Sequence, residues 1–182
     1  MELSAKSTLD TNIADPSMDQ QYVSKDRFKE GMARLAGAVN VITTDGPAGR
    51  AGFTATAVCS VCDTPPTLLV CVNNSSSVGA AFRENVSLCV NTLGPKHQNV
   101  ATLFGGKTPT EERFAVADWY DGKTGAPVLK DALVSFDCDI SQIVVAGTHS
   151  VLLCTIRDIL VSQDAVASVY FARKFHEIGG VD

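Results

Sequence analysis

The 182-residue sequence is short of the features that mark several large classes of protein. No apolar run reaches the roughly 18 residues that a membrane-spanning helix needs. The N-terminus lacks the basic start, apolar middle and small-residue cleavage site of a secretory signal. Basic residues are scattered, and 15 Lys and Arg against 20 Asp and Glu leave a net charge of −5. Because nucleic-acid binding depends on clustered cations that neutralise phosphates, we expect a cytoplasmic protein with no nucleic-acid or membrane partner.

The common nucleotide-binding and hydrolase motifs are also missing. There is no G-x-G-x-x-G, which argues against a Rossmann domain. The residues Gly106-Lys107-Thr108 resemble the end of a P-loop, but Ala101 stands where that motif requires a glycine. Neither G-x-S-x-G nor H-E-x-x-H occurs. The three histidines lie far from one another and from acidic pairs: His97, His149 and His176. We therefore expect no metal site.

Cysteines are too few for the disulfide scaffold of a small secreted domain. The six are Cys59, Cys62, Cys71, Cys89, Cys138 and Cys154. Five of them lie within apolar runs, as buried cysteines do. Cys59 and Cys62 form a C-x-x-C inside a predicted strand, and residues three apart in a strand point to opposite faces. We therefore predict reduced, structural cysteines and neither a zinc site nor a redox pair.

Short strands separated by turns make up most of the chain. Residues 1–20 are polar and aperiodic, which predicts a flexible tail before a single domain over 21–182. A helix is predicted from Ser24 to Gly37, and further short helices over 78–82, 98–104 and 109–113. Strands are predicted over 39–44, 50–61, 68–72, 86–90, 133–145, 149–161 and 166–171. Because helices do not alternate regularly with strands, an antiparallel, closed or nearly closed barrel with a few short helices is favoured over a parallel sheet.

Hydroxyl side chains form a stripe in the second predicted strand. Simple alternation places Thr54, Thr56 and Ser60 on one face and apolar side chains on the other. Such a row of donors and acceptors suits a flat polar ligand, although one wet face is also common in antiparallel sheets. The run from Ser75 to Ser77 precedes a predicted helix, where hydroxyls and free N–H groups suit a phosphate or serve as a simple N-cap.

In its motifs the chain from Phe28 to Ile159 resembles the short-chain flavin reductases, the reductase components of two-component flavin monooxygenases. Examples are the reductases of the 4-hydroxyphenylacetate hydroxylase and pyrimidine-utilisation systems. The resemblance is carried, in order and with similar spacing, by residues 37–44, 52–61, 63–73, 88–91, 104–108, 112–114 and 147–149.

The resemblance implies a mainly β fold, a split β-barrel of Greek-key type, assembled as a homodimer. It implies reduction of FMN or FAD by NADH or NADPH, with reduced flavin passing to a separate monooxygenase. The absence of an Arg cluster favours NADH. The implied flavin-binding residues are Thr54, Ala55, Thr56, Ala57, Ser60, Val72, Asn73, Ser75, Ser76, Ser77, Phe104 and Lys107. The implied nicotinamide-binding residues are Gly147 and His149, and no catalytic acid or base is implied.

Two positions depart from the family pattern. Thr148 stands where many members have Asp, and Asn74 where Arg is frequent. Two other functions remain open at this point. One is a corrinoid reductase, which would pass electrons from the same flavin to cobalt. The other is a flavin-binding barrel without enzymatic activity.

Overall fold

The computed structural model describes residues 22–179. Four α-helices occur in this part of the chain: α1 (Lys25–Met32), α2 (Gly79–Glu84), α3 (Gln98–Gly105) and α4 (Thr110–Phe114). The strands are β1 (Gly37–Ala38), β2 (Asn40–Thr44), β3 (Ala51–Ala55), β4 (Val58–Asp63), β5 (Pro66–Asn73), β6 (Ser87–Thr92), β7 (Trp119–Asp121), β8 (Pro127–Leu129), β9 (Val134–Ala146), β10 (His149–Val161), β11 (Ala167–Phe171) and β12 (Lys174–Ile178). The protein is therefore mainly β, as predicted.

Seven strands form one sheet in the order β3-β2-β6-β9-β10-β5-β4, with every neighbouring pair antiparallel. Laid flat, strands about 4.8 Å apart would separate β3 from β4 by roughly 29 Å. Yet only Thr56 and Ala57 link these two edge strands, and two residues span at most about 11 Å between flanking Cα atoms. The sheet must therefore curl until its edges approach. Within residues 22–179 no ladder joins β3 to β4, so the curled sheet is not closed by pairing.

Alternating side chains fill the inside of the curl. Leu68, Val70 and Val72 of β5 are almost fully buried, and Phe82 of α2 covers the same cluster with no exposed surface. A second apolar cluster lies outside β2, beneath α3 and α4, where the rings of Phe104, Phe114 and Trp119 pack together. The chain thus has one core inside the sheet and another between the sheet and its helices.

The buried amide of Asn91 joins four segments of this framework. Its Nδ2 donates to the carbonyl oxygen of Val41 at 3.1 Å and to Oγ1 of Thr43 at 3.2 Å. Its Oδ1 accepts from the N–H of Leu129 at 2.8 Å and from Oγ of Ser135 at 3.0 Å. All of its hydrogen-bonding capacity is used, which allows a polar side chain with no exposed surface.

Several predicted elements are shorter or more broken than the sequence pattern indicated. The first helix begins beside Ser24, as expected, with Ser24 as its N-cap, but it ends at Met32, and Gly37 begins a strand instead of ending the helix. The strand predicted over 50–61 is two strands separated at Thr56 and Ala57. The tail predicted over residues 1–20 lies outside the described residues. No helix within residues 22–179 is long and apolar enough to cross a bilayer.

Strand β12 was missed because its sequence is polar and its turn contains no glycine. It pairs with β11 through a tight turn in which Ala172 and Arg173 have φ values of 50° and 62°. Turns of this kind usually contain Gly or Asn, the residues that tolerate positive φ. A separate three-stranded sheet, β1-β11-β12, covers the part of the molecule next to α1, and β7 pairs with β8 in a sheet of two strands.

Candidate functional site

The link between β3 and β4, Thr56 and Ala57, is called the bend below. Both residues are exposed. Two grooves open beside the bend. The smaller, of about 380 Å³, lies between β3, α3 and the β11-β12 hairpin, and its lining includes Thr54, Ala55, Thr56, Gly105 and Tyr170. The larger, of about 880 Å³, lies between the bend and α1, and its lining includes Phe28, Met32, Thr56, Ala57 and Tyr170. Both volumes are in the range of small-molecule sites.

The predicted hydroxyl stripe does not lie on one face. Thr54 lies opposite Val41 of β2, on the outer face, and its Oγ1 donates to the carbonyl oxygen of Ala101 in α3 at 2.6 Å. Ser60 lies opposite Leu68, whose side chain is in the inner core. The prediction that Thr54 and Ser60 share a face is therefore wrong. The bend between their strands resets the alternation on which the prediction relied.

The other group of predicted residues is at the end of β5. Asn73 lies directly opposite His149, the first residue of β10. The Oδ1 of Asn73 accepts from both the N–H and the hydroxyl of Ser75, at 2.9 and 2.8 Å, and its carbonyl oxygen accepts from Oγ of Ser76 at 2.8 Å. These contacts fold residues 73–77 into a tight turn, called the serine turn below. Val72, just before it, has a side chain buried in the core, which leaves only its main chain for a ligand.

The serine turn does not cap a helix with its side chains. The N-cap of α2 is Val78, and no side chain makes a capping hydrogen bond there. The expected N-cap role of the serines is therefore wrong, because Asn73 draws Ser75 and Ser76 back toward β5. Ser77 is exposed between the turn and the helix.

The next turn along the edge presents His149. Gly147 adopts a φ of +56° in the tight connection between β9 and β10, a conformation that suits glycine. The exposed imidazole of His149 has its Nδ1 2.9 Å from Oγ1 of Thr148. The carbonyl oxygen of Thr148 accepts the N–H of Asn74 at 3.0 Å, which ties this turn to the serine turn. Thr148 and Asn74, the two residues that depart from the family pattern, therefore contact each other through their main chains.

The bend and the serine turn are brought to the same end of the curled sheet. The carbonyl oxygen of Ala57 accepts the N–H of Cys71 at 3.1 Å, and Cys71 is two residues before Asn73. His149 lies across from Asn73 on the other side of β5. Three segments that are distant in sequence therefore meet, and they carry most of the residues that the sequence implicated.

Phe104 and Lys107 have different surroundings. The ring of Phe104 is buried, and a Cβ placed on Gly52 would lie 2.5 Å from its Cε1 atom, so strand β3 can pass the ring only with glycine at that position. Phe104 is therefore a core residue behind the smaller groove and has no surface for a ligand. Lys107 is exposed on the loop that follows α3.

Arg113 holds that loop against β3, a role that the sequence analysis did not assign. Its guanidinium is buried, and it donates to the carbonyl oxygens of Thr108 at 2.6 Å, Gly52 at 2.8 Å and Gly106 at 2.9 Å. The planar fork of arginine suits several acceptors at once. Arg113 lies in residues 112–114, one of the segments that carry the family resemblance, but nothing in the local sequence distinguishes it from a surface arginine.

The cysteines divide into buried and exposed groups. Cys89, Cys138 and Cys154 are buried, and burial raises the pKa of Cys154 to about 12 and those of the other two above their usual range. Cys59 and Cys62 are exposed and Cys71 is half-buried, so fewer cysteines are buried than the five that their apolar runs predicted. Among residues 22–179 no group of three or more His, Cys, Asp and Glu side chains could hold a metal ion.

Comparison with known proteins agrees with this geometry. A family model described as flavin reductase like domain matches residues 32–179. The FMN reductase (NADH) RutF of Serratia proteamaculans (strain 568) is 54% identical over 168 residues, 92% of this chain and 96% of that protein. The protein of the same name from Pseudomonas syringae pv. syringae (strain B728a) is 57% identical over 156 residues, 86% of this chain and 88% of that protein.

Solved structures show the same similarity. BorF, the flavin reductase component of a bacterial two-component tryptophan halogenase, has a TM-score of 0.80 and 27% identity, covering 87% of this chain and 100% of that chain. A flavin reductase domain protein from Arthrobacter sp. FB24 has a TM-score of 0.78 and 26% identity, covering 87% of this chain and 98% of that chain.

Proposed function

The chain belongs to the flavin reductase family, as its motifs predicted, and from this we propose that it is an NADH-dependent FMN reductase that supplies reduced flavin to a separate monooxygenase. The observation that carries the proposal is the meeting of the bend, the serine turn and His149 at one end of the curled sheet. FMN and NADH are chosen because the relatives at 54% and 57% identity are named for them.

The residues at this end fit a flavin. The smaller groove has mostly apolar walls, and the residues that line it include the two hydroxyl-bearing residues Thr54 and Thr56. A few polar groups on an apolar wall are typical of cofactor sites. Ser77 and Lys107 offer an exposed hydroxyl and an exposed ammonium group for a phosphate. Bound FMN would supply the hydride-accepting chemistry, which the protein itself need not provide.

The protein's own contribution to the reaction is binding and alignment. Thr56 and Ala57 would bind the polar edge of the ring system, and the serine turn would hold the side chain that follows it. His149 would position the nicotinamide of NADH, with its ring oriented by the 2.9 Å contact to Thr148. Hydride transfer needs close alignment of two ring systems and no general acid or base, so positioning accounts for the rate.

The curled sheet supports the finer description of the fold as a split β-barrel of Greek-key type. Its two edge strands are consecutive in the chain and separated only by the bend. In that description the bend would be both the place where the barrel is split and the place where the proposed flavin site begins.

A homodimer is supported by the exposed apolar face of α1. The helix has no buried residue, and the exposed fractions of its Phe28 and Met32 are 58% and 48%, while Leu35, three residues beyond its end, is 67% exposed. A helix of eight residues gains little stability unless its apolar side is covered. We expect a second copy to cover it and to close the larger groove, which Phe28 and Met32 line. Sedimentation of Phe28→Glu with Met32→Glu tests this: the parent should sediment as a dimer and the double variant as a monomer.

The activity is tested by following NADH oxidation with purified protein and added FMN, FAD or riboflavin, and then with NADPH in place of NADH. We expect turnover that saturates with FMN and that is slower with NADPH. Two variants accompany this assay. Thr56→Val changes a side chain at the bend, and Ser60→Ala is its control, because the side chain of Ser60 lies on the opposite face of the sheet from that of Thr54. If none of the three flavins supports NADH oxidation by folded protein, the proposed function is wrong.

A further inference from the structure

The two exposed cysteines of β4 lie on the same face of the sheet, contrary to what simple strand alternation predicts. Cys59 lies opposite Leu69 of β5, and Cys62 lies opposite Thr67. The register shifts between Ser60 and Cys62, because one extra residue forms a β-bulge in β4. Leu69 and Thr67 are two residues apart and therefore point to one face. Cross-strand partners share a face, so Cys59 and Cys62 both point to the outer surface.

The spacing of the pair is within reach of a disulfide. The two partners on β5 are separated by two strand residues, or about 6.7 Å. On this register the Cα atoms of Cys59 and Cys62 come near the upper end of the separations of about 4.4–6.8 Å found in disulfides, and the backbone of β4 must bend at the bulge to bring the Cβ atoms to the about 3.5–4.5 Å that the bond requires. Strand β4 is at the edge of its sheet, so small shifts of its backbone disturb only the pairing with β5.

Cys59 and Cys62 are also the most accessible thiols among residues 22–179. Cys59 and Cys62 are exposed, Cys71 is half-buried, and the remaining three are buried. The Sγ atoms of Cys59 and Cys62 contact only backbone carbonyl oxygens, those of Ser60 and Pro65, both at 3.2 Å. Neither thiol has a side-chain partner that it would lose on reaction.

We propose that Cys59 and Cys62 are a peroxide-reactive dithiol that closes reversibly to an intrastrand disulfide. One thiol attacks hydrogen peroxide, which cleaves the O–O bond, gives a sulfenic acid and releases water. The second thiol attacks the sulfenic sulfur, which forms the S–S bond and releases a second water. The two thiols thus lose two electrons, and one peroxide is reduced to two waters. A dithiol reductant reverses the reaction by thiol–disulfide exchange.

The source of the peroxide rests on the proposed function. Reduced flavin that is not taken up by a monooxygenase reacts with dioxygen to give oxidised flavin and hydrogen peroxide. Strand β4 begins at Val58, directly after the bend, so the pair is close to the place where reduced flavin would leave. We therefore expect uncoupled turnover to oxidise Cys59 and Cys62 before any other cysteine.

The first experiment tests the pair without reference to activity. The full chain is reduced, freed of reductant and treated with one equivalent of hydrogen peroxide. Free thiols are then alkylated, and the peptides are analysed by mass spectrometry. We expect the peptide carrying both cysteines to lose two hydrogens and to escape alkylation, and a dithiol reductant to restore both thiols. A disulfide between two chains, oxidation of one cysteine alone or no reaction would overturn the proposal.

Two matched variants identify the reacting atoms. In Cys62→Ser the disulfide cannot form, and we expect a sulfenic acid on Cys59 that a dimedone probe labels. In Cys71→Ser the intrastrand disulfide should form as in the parent. If Cys71→Ser abolishes the product, the partner has been misassigned and the proposal fails.

The second experiment replaces added peroxide with NADH, FMN and air. If NADH is consumed, the same disulfide should form, and catalase should prevent it. Consumption of NADH without the disulfide would overturn the link to uncoupled turnover. No consumption of NADH would refute the proposed function, while the first experiment would still decide whether the pair is a dithiol site.

Discussion

Replacing Arg113 with methionine would test how the loop bearing Lys107 is held. The side chain is 5% exposed, and its charge is satisfied by carbonyl oxygens of Thr108, Gly52 and Gly106, with no carboxylate partner among the described residues. Methionine keeps an unbranched apolar stem but leaves three carbonyl oxygens without their donor. Each hydrogen bond to a charged group contributes about 1.5–3 kcal/mol, and losses that share one side chain do not add fully. We expect Arg113→Met to lower the free energy of unfolding by about 3–5 kcal/mol.

The measurement is urea unfolding followed by circular dichroism, with the flavin Kd measured on protein that remains folded. Arg157→Met is the matched control, because Arg157 pairs with Asp139 at 2.5 Å but both side chains are about half exposed. Exposed pairs of this kind contribute about 0–1 kcal/mol. Flavin affinity should fall in Arg113→Met alone, since the loop with Gly106 and Lys107 loses its anchor.

Arg113→Lys separates charge from geometry. An ammonium keeps the charge but cannot reach three acceptors through one planar fork. We expect it to recover part of the stability and little of the flavin affinity. If Arg113→Met unfolds within about 1 kcal/mol of the parent, the three contacts do not stabilise the loop and the reasoning is wrong.

Three further predictions concern single positions. Thr56→Val should keep the fold and weaken flavin binding by about 1–3 kcal/mol in a titration, because polar atoms of the ligand lose a partner; equal Kd values for this variant and the parent would refute the assignment. His149→Ala should raise the KM for NADH and slow hydride transfer by on the order of a hundredfold with flavin affinity nearly unchanged. Stopped-flow bleaching of bound flavin checks this, and parental rate and saturation would remove His149 from the site. Gly52→Ala should lower stability by about 1–3 kcal/mol, since its Cβ would meet Phe104 at 2.5 Å and the carbonyl oxygen of Ile42 at 3.1 Å; an unchanged Tm would contradict the close contact.

The candidate site shows how far a local pattern reaches. The strand and turn residues around Thr56 and Asn73 were found from their hydroxyl and amide side chains and from the motifs that contain them. Simple alternation placed Ser60 and Cys62 on the wrong face of the sheet. A bend before Ser60 and a β-bulge before Cys62 each change which face the following residues point to, and amino-acid composition does not reveal either feature. Arg113 was missed for a different reason: its acceptors are main-chain carbonyls, which carry no sequence signature.

The sequence by itself determined that the chain is mainly β, where most strands lie, and which family it belongs to, because apolar alternation and motif spacing are local properties. Only the tertiary structure decided that β3 and β4 form opposite edges of one curled sheet, and that the bend meets the serine turn and His149. Those meetings depend on pairing between distant segments, since β5 must pair with both β4 and β10 before Ala57 and His149 approach the same end. Strand order is set by how the whole apolar surface is buried, which no single segment specifies.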